Sequence, residues 1–248
     1  MSLSDDELSR YARQIVLPQF GGTGQQRLKA ASVCVVGAGG IGTAVIPALA
    51  GAGVGRLTII DGDSVDLSNL HRQPIYRTRE AGEPKAALAA QFVRRLNPHV
   101  QLDAVERQIV PDNVETLLAG HDLIIDGTDN FATRLTVSDA TVRLGLTLIS
   151  AAAVQFQGQL GLFRGQPCYR CFVGDAFDVD DCDNCAEQGV LGAVTGLMGN
   201  AAALLAIRAL AQVGEDPAGK LQLFDGLTGE WRTMRLPADP SCRACGSA

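Results

Sequence analysis

Residues 30–55 carry no charged side chain, a run long enough on length alone to cross a bilayer. Seven glycines and Pro47 interrupt it, and no single helix tolerates so many breakers. The run must instead divide into a short apolar strand, a glycine turn, a helix and a second strand. That sequence of elements favours a parallel sheet, because a crossover helix returns the chain to pair in the same direction. A second uncharged run, 188–207, contains Gln188, Asn200 and four glycines, and reads as a buried helix with its lead-in loop. Neither run is expected to span a membrane.

The same logic extends through the first part of the chain. Apolar, β-branched runs at 32–36, 56–60, 100–106, 122–125 and 147–151 alternate with helical patterns at 41–50, 85–96, 112–118 and 130–144. Asn97-Pro98 stops one helix and Pro111-Asp112 starts another. After residue 153 the pattern changes to strand-like segments at 159–163, 221–224 and 231–236, around an acidic loop and one apolar helix over 191–213. The expected fold is α/β: a Rossmann-like, mostly parallel sheet with helices on both faces, followed by antiparallel C-terminal strands. The 248 residues hold no repeat or low-complexity linker. They are read as one domain with an N-terminal helical segment (1–28), a Rossmann-like core (29–153) and a C-terminal elaboration (154–248).

The glycine turn has a specific form. Strand 32–36 runs into Gly37-Ala38-Gly39-Gly40-Ile41-Gly42, and Asp61 ends the next strand, nineteen residues after Gly42. Glycines let the backbone approach a phosphate, the following helix offers free N–H groups, and the carboxylate can accept from ribose hydroxyls. On this motif alone, an NAD-dependent oxidoreductase is the natural reading. Three further segments point elsewhere. Asp61 to Gln73, including Asp63 and the block Ser68-Asn69-Leu70-His71-Arg72-Gln73, follows the second strand. Lys85 opens a helix, and Asp126-Gly127-Thr128-Asp129-Asn130 follows a third strand. Each belongs at the strand ends where open α/β sheets bind ligands. There Arg72 and Lys85 can neutralise a triphosphate and Asp129 can hold its Mg²⁺. Hydride transfer has no use for that set.

Together with Arg10-Tyr11-Ala12-Arg13-Gln14, these segments resemble the HesA/MoeB/ThiF family, bacterial relatives of the ubiquitin-activating enzymes, from about residue 8 to 245. The resemblance implies MgATP-dependent adenylation of the C-terminal glycine of a small ubiquitin-like sulfur carrier ending in Gly-Gly, with release of pyrophosphate. It implies Gly40 in the nucleotide loop, Asp61 at the ribose, Asn69, Arg72 and Lys85 at the phosphates with Gln73 in support, and Asp129 at the magnesium. It also implies a homodimer in which Arg13 reaches the partner's ATP site. A non-catalytic carrier-binding scaffold is the other alternative, and the full set Arg13, Arg72, Lys85 and Asp129 argues against it. The carrier's pathway, whether molybdopterin, thiamine or another, stays open.

Three cysteine pairs share C-x2-C spacing: Cys168/Cys171, Cys182/Cys185 and Cys242/Cys245. Any two pairs can supply the four thiolates of a structural zinc site, and spacing does not choose between them. The resemblance assigns zinc to Cys168, Cys171, Cys242 and Cys245, which would staple the C-terminal end to the body. Asn184-Cys185-Ala186-Glu187-Gln188-Gly189-Val190-Leu191-Gly192 resembles the family segment whose cysteine is implicated in acyl or persulfide transfer. Ala193 stands where that segment often has proline, and the surrounding acids disfavour a thiolate. Cys182 can tie Cys185 up as a reversible disulfide, and a loop cysteine with no chemistry is the alternative there. Cys34 is expected in the core, and none of the three histidines is expected to act as a base or metal ligand, although His71 lies within the phosphate segment.

Composition bounds the remaining options. With 46% hydrophobic and 19% charged residues, long disorder is unexpected. The net charge of −6 argues against a general nucleic-acid binder, because neutralising phosphates needs a basic face. The acidic start lacks an export pattern, so a cytoplasmic location is expected. No rhodanese-like segment follows Ala248, so sulfur is expected from a separate sulfurtransferase or cysteine desulfurase, or from the chain's own cysteines.

Overall fold

The computed structural model describes residues 2–174 and 188–246. Eight strands form one sheet. Five are parallel: β1 (Ser32–Val36), β2 (Arg56–Ile60), β3 (Gln101–Val105), β4 (Leu123–Asp126) and β5 (Thr147–Val154). Three more continue it antiparallel: β6 (Gln157–Arg164), β7 (Lys220–Asp225) and β8 (Glu230–Arg235). The spatial order is β3-β2-β1-β4-β5-β6-β7-β8. The chain thus moves outward from β1 in one direction, then crosses back and moves outward in the other from β4. That reversal opens a crevice beyond the C-terminal ends of β1 and β4.

Alternation along each strand feeds two cores. Val33 and Val35 of β1 face one, with Leu57, Ile59, Leu123, Ile125 and Ile149. Helices α2 (Gly21–Ala30), α3 (Gly42–Ala52) and α4 (Lys85–Leu96) cover that face together with α8 (Gly192–Ala211). Cys34 and Val36 face the other, under α5 (Val114–Leu118), α6 (Phe131–Leu144) and α7 (Tyr169–Val173). β1 is apolar at both alternations because both its faces are covered. Among the described residues α8 alone is long and apolar enough to cross a membrane. Here it is a core helix, with Met198, Ala202 and Ala206 fully buried.

Several expected boundaries shift by one to three residues, and two of the shifts bear on the site. The helix expected at 112–118 begins at Val114, because Val110 donates to the Asn113 side chain (3.0 Å) and closes a turn first. Strand β5 runs on to Val154, pairing along its whole length with β6, so the sheet is continuous across residue 153. At the N-terminus, α1 (Asp5–Ile15) is capped by Ser4 and Glu7. Buried Glu7 meets Lys29 at 2.6 Å, and Asn97 donates to the Tyr11 hydroxyl at 2.8 Å, which pins α1 to the body.

Candidate active site

The crevice encloses about 750 Å³. Its floor is the glycine turn between β1 and α3. Gly37 has φ +90°, and its N–H donates to Ile60 O of β2 at 2.8 Å, so the turn begins where the sheet ladder ends. A Cβ on Gly37 would lie 3.3 Å from Gly127, so the turns after β1 and β4 touch. Gly39 and Gly40 line the crevice. Gly42 does not: it sits behind the turn, where a Cβ would overlap the Gly37 carbonyl. Its contribution is close packing that brings the start of α3 up to the loop.

Asp61 follows β2 and is bound into the floor. Its Oδ2 accepts from Ala38 N (2.7 Å) and its Oδ1 from Asp63 N (2.8 Å). Burial pushes its carboxyl above the ordinary range, against those N–H groups and Lys85, which favour the charged form. Each oxygen keeps a further acceptor position for a hydroxyl. Lys85 is buried at the first residue of α4, where its charge opposes the helix dipole. A cation there does not serve the helix. Its Nζ lies 3.4 Å from Asp63 Oδ2, and Gln108 Nε2 donates to Asp63 Oδ1 at 2.8 Å.

The Ser68–Gln73 block splits by direction. A short 3-10 turn, Leu67–Asn69, is capped by Asp66, whose Oδ1 accepts from Ser68 N at 2.7 Å. Ser68, Asn69, His71, Arg72 and Gln73 line the crevice. Leu70 packs against the hydrophobic core, because the turn carries it to the inner side. Arg72 Nη1 donates to Ser68 O (3.2 Å) and lies 2.9 Å from His71 Nε2, leaving its other N–H groups for a ligand. The buried Gln73 Oε1 has no partner among the described residues.

The fourth wall is the turn after β4. Asp129 is exposed in the crevice, and Asn130 caps α6 by accepting from Thr133 N at 2.8 Å. Asp126 is fully buried below them: Oδ1 accepts from the N–H (3.0 Å) and hydroxyl (2.7 Å) of Thr128, while Oδ2 has no hydrogen-bond partner among the described residues. Burial pushes its carboxyl up, with Arg134 opposing.

Sequence reasoning missed four residues. Tyr76, buried, donates between Ala38 O (2.9 Å) and Lys85 O (3.2 Å), tying glycine turn to α4. Arg107 and Gln108, after β3, and Arg134, on α6, also line the crevice. Nothing local in the sequence marks Gln108, which meets Gly62 only in the fold, where a Cβ on that glycine would strike the Gln108 backbone at 2.7 Å. Arg13 lies exposed on α1 and does not line this crevice. His99 is exposed, whereas His121 is buried against Thr58 Oγ1 (2.9 Å) and Leu118 O (3.0 Å), a packing role rather than a surface one.

A second groove of about 330 Å³ meets the crevice at Ala153. Ala152, Ala153 and Gly158 keep its floor shallow, and Phe131, Val154 and Phe224 give it apolar walls.

Cys168, Cys171, Cys242 and Cys245 converge, their sulfurs all within 4.8 Å of one another. Sulfur–sulfur separations of 4.0, 3.7 and 3.3 Å compare with about 3.8 Å for four sulfurs around a tetrahedral zinc at 2.3 Å. The donor set fits zinc. Burial raises the Cys168 thiol and pushes Cys245 up to about 11. Burial also acts to raise Cys242, but N–H groups of Cys245 and Ala244 outweigh it. Cys34 is buried in β1, as its mid-strand position suggests. Cys182 and Cys185 lie outside the described residues.

The ThiF family model matches residues 11–244. A sulfur carrier protein adenylyltransferase of Thermus thermophilus is 42% identical, over 99% of this chain and 93% of its own length. The mouse adenylyltransferase and sulfurtransferase MOCS3 is 45% identical over 99% of this chain. The chain spans about half of that relative's length, 54%. Among solved structures, E. coli MccB superposes with a TM-score of 0.85 at 21% identity, over 100% of this chain and 74% of that one, a likeness of fold.

Proposed function

The chain belongs to the ThiF family, and from that premise we propose that it uses MgATP to adenylate the C-terminal glycine of a small ubiquitin-like sulfur carrier ending in Gly-Gly. The carrying observation is the convergence of Arg72, Lys85, Asp61 and Asp129 on one crevice floored by glycine backbone. A dinucleotide oxidoreductase would leave the two cations without a task.

In this reading, one oxygen of the carrier's terminal carboxylate attacks the α-phosphorus of ATP. The bond from that phosphorus to the bridging oxygen breaks, pyrophosphate leaves, and an acyl-adenylate remains. The carboxylate is already ionised at neutral pH, so no general base is needed. The chain's task is positioning and charge neutralisation. Gly39 and Gly40 admit the phosphates to the backbone, Asp61 accepts from the ribose, and Asn69, Arg72 and Lys85 face the phosphates. Buried Gln73 keeps an open acceptor at their edge. Asp129 would hold magnesium, which supplies further charge neutralisation when bound.

The groove that opens at Ala153 suits a narrow, extended tail, since its small floor residues leave room for glycines. Arg13 completes the site of a second copy in a homodimer. Four cysteines hold zinc as a structural staple, a cytoplasmic location supplies ATP and keeps those thiols reduced, and the sulfur comes from a separate donor. The direct test is ATP–pyrophosphate exchange with a Gly-Gly carrier. Exchange that depends on the two terminal glycines is expected. Tight NAD binding without carrier-dependent exchange would overturn the reading.

A further inference from the structure

Helix α6 links the crevice to the cysteine cluster. At its N-terminus stand Asp129 and Asn130. One turn in, Arg134 donates to the carbonyls of Thr128 and Ala151, the latter at 3.1 Å, fastening the Asp129 turn to β5. Five residues on, Asp139 receives two bonds from Arg170: Nε to Oδ1 at 3.1 Å and Nη2 to Oδ2 at 2.7 Å. Arg170 is only 4% exposed and belongs to α7, whose N-cap is Cys168 and whose first turn contains Cys171. Tyr169 beside it packs edge-on against Phe163 at 5.7 Å and adjoins Arg134.

A buried ion pair adds little net stability over an apolar pair of the same volume. A two-bond fork does add direction, fixing both rotation and axial position of the helix it grips. Asp139 and Asn130 are nine residues apart, about 13 Å of stiff helix. Metal-ligand geometry is sensitive to shifts of about 0.5 Å.

We propose that Arg170, anchored between two zinc-binding cysteines, is a positioning residue for Asp129, acting through Asp139 and α6. The staple then sets magnesium geometry in the crevice as well as holding the C-terminal end. This rests on the MgATP reading above.

The test uses the full zinc-loaded chain and measures ATP affinity by calorimetry with and without Mg²⁺, alongside zinc retention against a chelator and hydrogen exchange across residues 131–144. Arg170→Met and Asp139→Asn should each lose roughly two- to thirtyfold of the Mg²⁺-dependent gain in affinity. Affinity without Mg²⁺ should hold, zinc should be retained, and exchange across α6 should quicken. Arg170→Lys, which keeps the charge and loses the fork, should fall between. The double variant should be no worse than the worse single one, because both break one link.

An unchanged Mg²⁺-dependent gain in a folded, zinc-loaded variant overturns the proposal. So does an equal loss without Mg²⁺. If Arg170→Met does not fold, Asp139→Asn and Arg170→Lys make the same comparison. A wild type with no Mg²⁺-dependent gain overturns the MgATP reading and this proposal together, whereas a normal wild type with unaffected variants overturns this proposal alone.

Discussion

Glycine to alanine at two positions of α3 should have opposite effects. A Cβ at Gly42 would overlap the Gly37 carbonyl oxygen and lie 2.9 Å from its carbon, against a comfortable carbon–carbon separation of about 3.5–4.0 Å. The oxygen overlap is the tighter of the two, so the glycine turn must give by roughly 1 Å or more. That overpacking should cost about 2 kcal/mol, within the range for an extra methyl in a packed site. For a chain of this size the melting temperature should drop by roughly 4–8 °C. A displaced turn also misplaces the phosphates, and a 1 Å error can cost about a hundredfold in rate. At Gly51, in the same helix, nothing lies within 4 Å of the added Cβ, and the residue is exposed. Gly51→Ala should stabilise by about 0.5–1 kcal/mol through helix propensity, with unchanged activity. Thermal unfolding and carrier-dependent pyrophosphate exchange, run side by side on both variants, decide it. A Gly42→Ala chain with the wild-type melting temperature and exchange rate would refute the packing argument.

Asp129→Ala should abolish exchange while leaving the melting temperature nearly unchanged, because the side chain is exposed at the crevice; near-normal exchange would remove the metal role. Mixing inactive Arg13→Ala and Asp129→Ala chains should restore part of the activity, since one mixed site keeps both groups; no recovery despite demonstrated subunit exchange counts against a trans arginine. Burial raises Asp126 above its unfolded value, so its ionisation opposes folding: the penalty is absent below the unfolded pKa of about 3.9 and grows as pH rises through the folded value. Asp126→Asn should therefore gain stability relative to wild type as pH increases above about 4, and a pH-independent difference in denaturant midpoints would refute that sign. Zinc must displace thiol protons, Cys245 among them with its pKa pushed up to about 11, so zinc affinity should rise with pH across the neutral range. Chelation at pH 6 should strip the metal and lower the melting temperature more readily than at pH 8; equal retention at both would argue against four thiolate ligands.

What the sequence determined is whatever its local pattern can encode. The uncharged, glycine-broken run at 30–55 required strand, turn and helix, and the structure has β1, the Gly37–Gly42 turn and α3 there. Alternation within β1 divided Val33 and Val35 from Cys34 and Val36, and these face two different cores. The paired spacing of cysteines announced side chains that could hold a metal, and Asp61 could be placed by counting from the glycines.

Tertiary structure decided everything that depends on which distant segments share a space. The reversal of strand order between β1 and β4 is a property of the whole sheet, and it alone brings Asp129 opposite Lys85. Arg107, Gln108 and Arg134 reach the crevice from separate elements and Tyr76 braces it from behind, and no periodicity around them marks that end point. Leu70 shows the converse. It sits between crevice residues in sequence, yet a single 3-10 turn sends it to the core, because neighbours one residue apart on a turn point in different directions. The choice of Cys168, Cys171, Cys242 and Cys245 as one cluster, and the grip of Arg170 on Asp139, likewise depend on chain closure, since spacing within a pair says nothing about which distant pair it will meet.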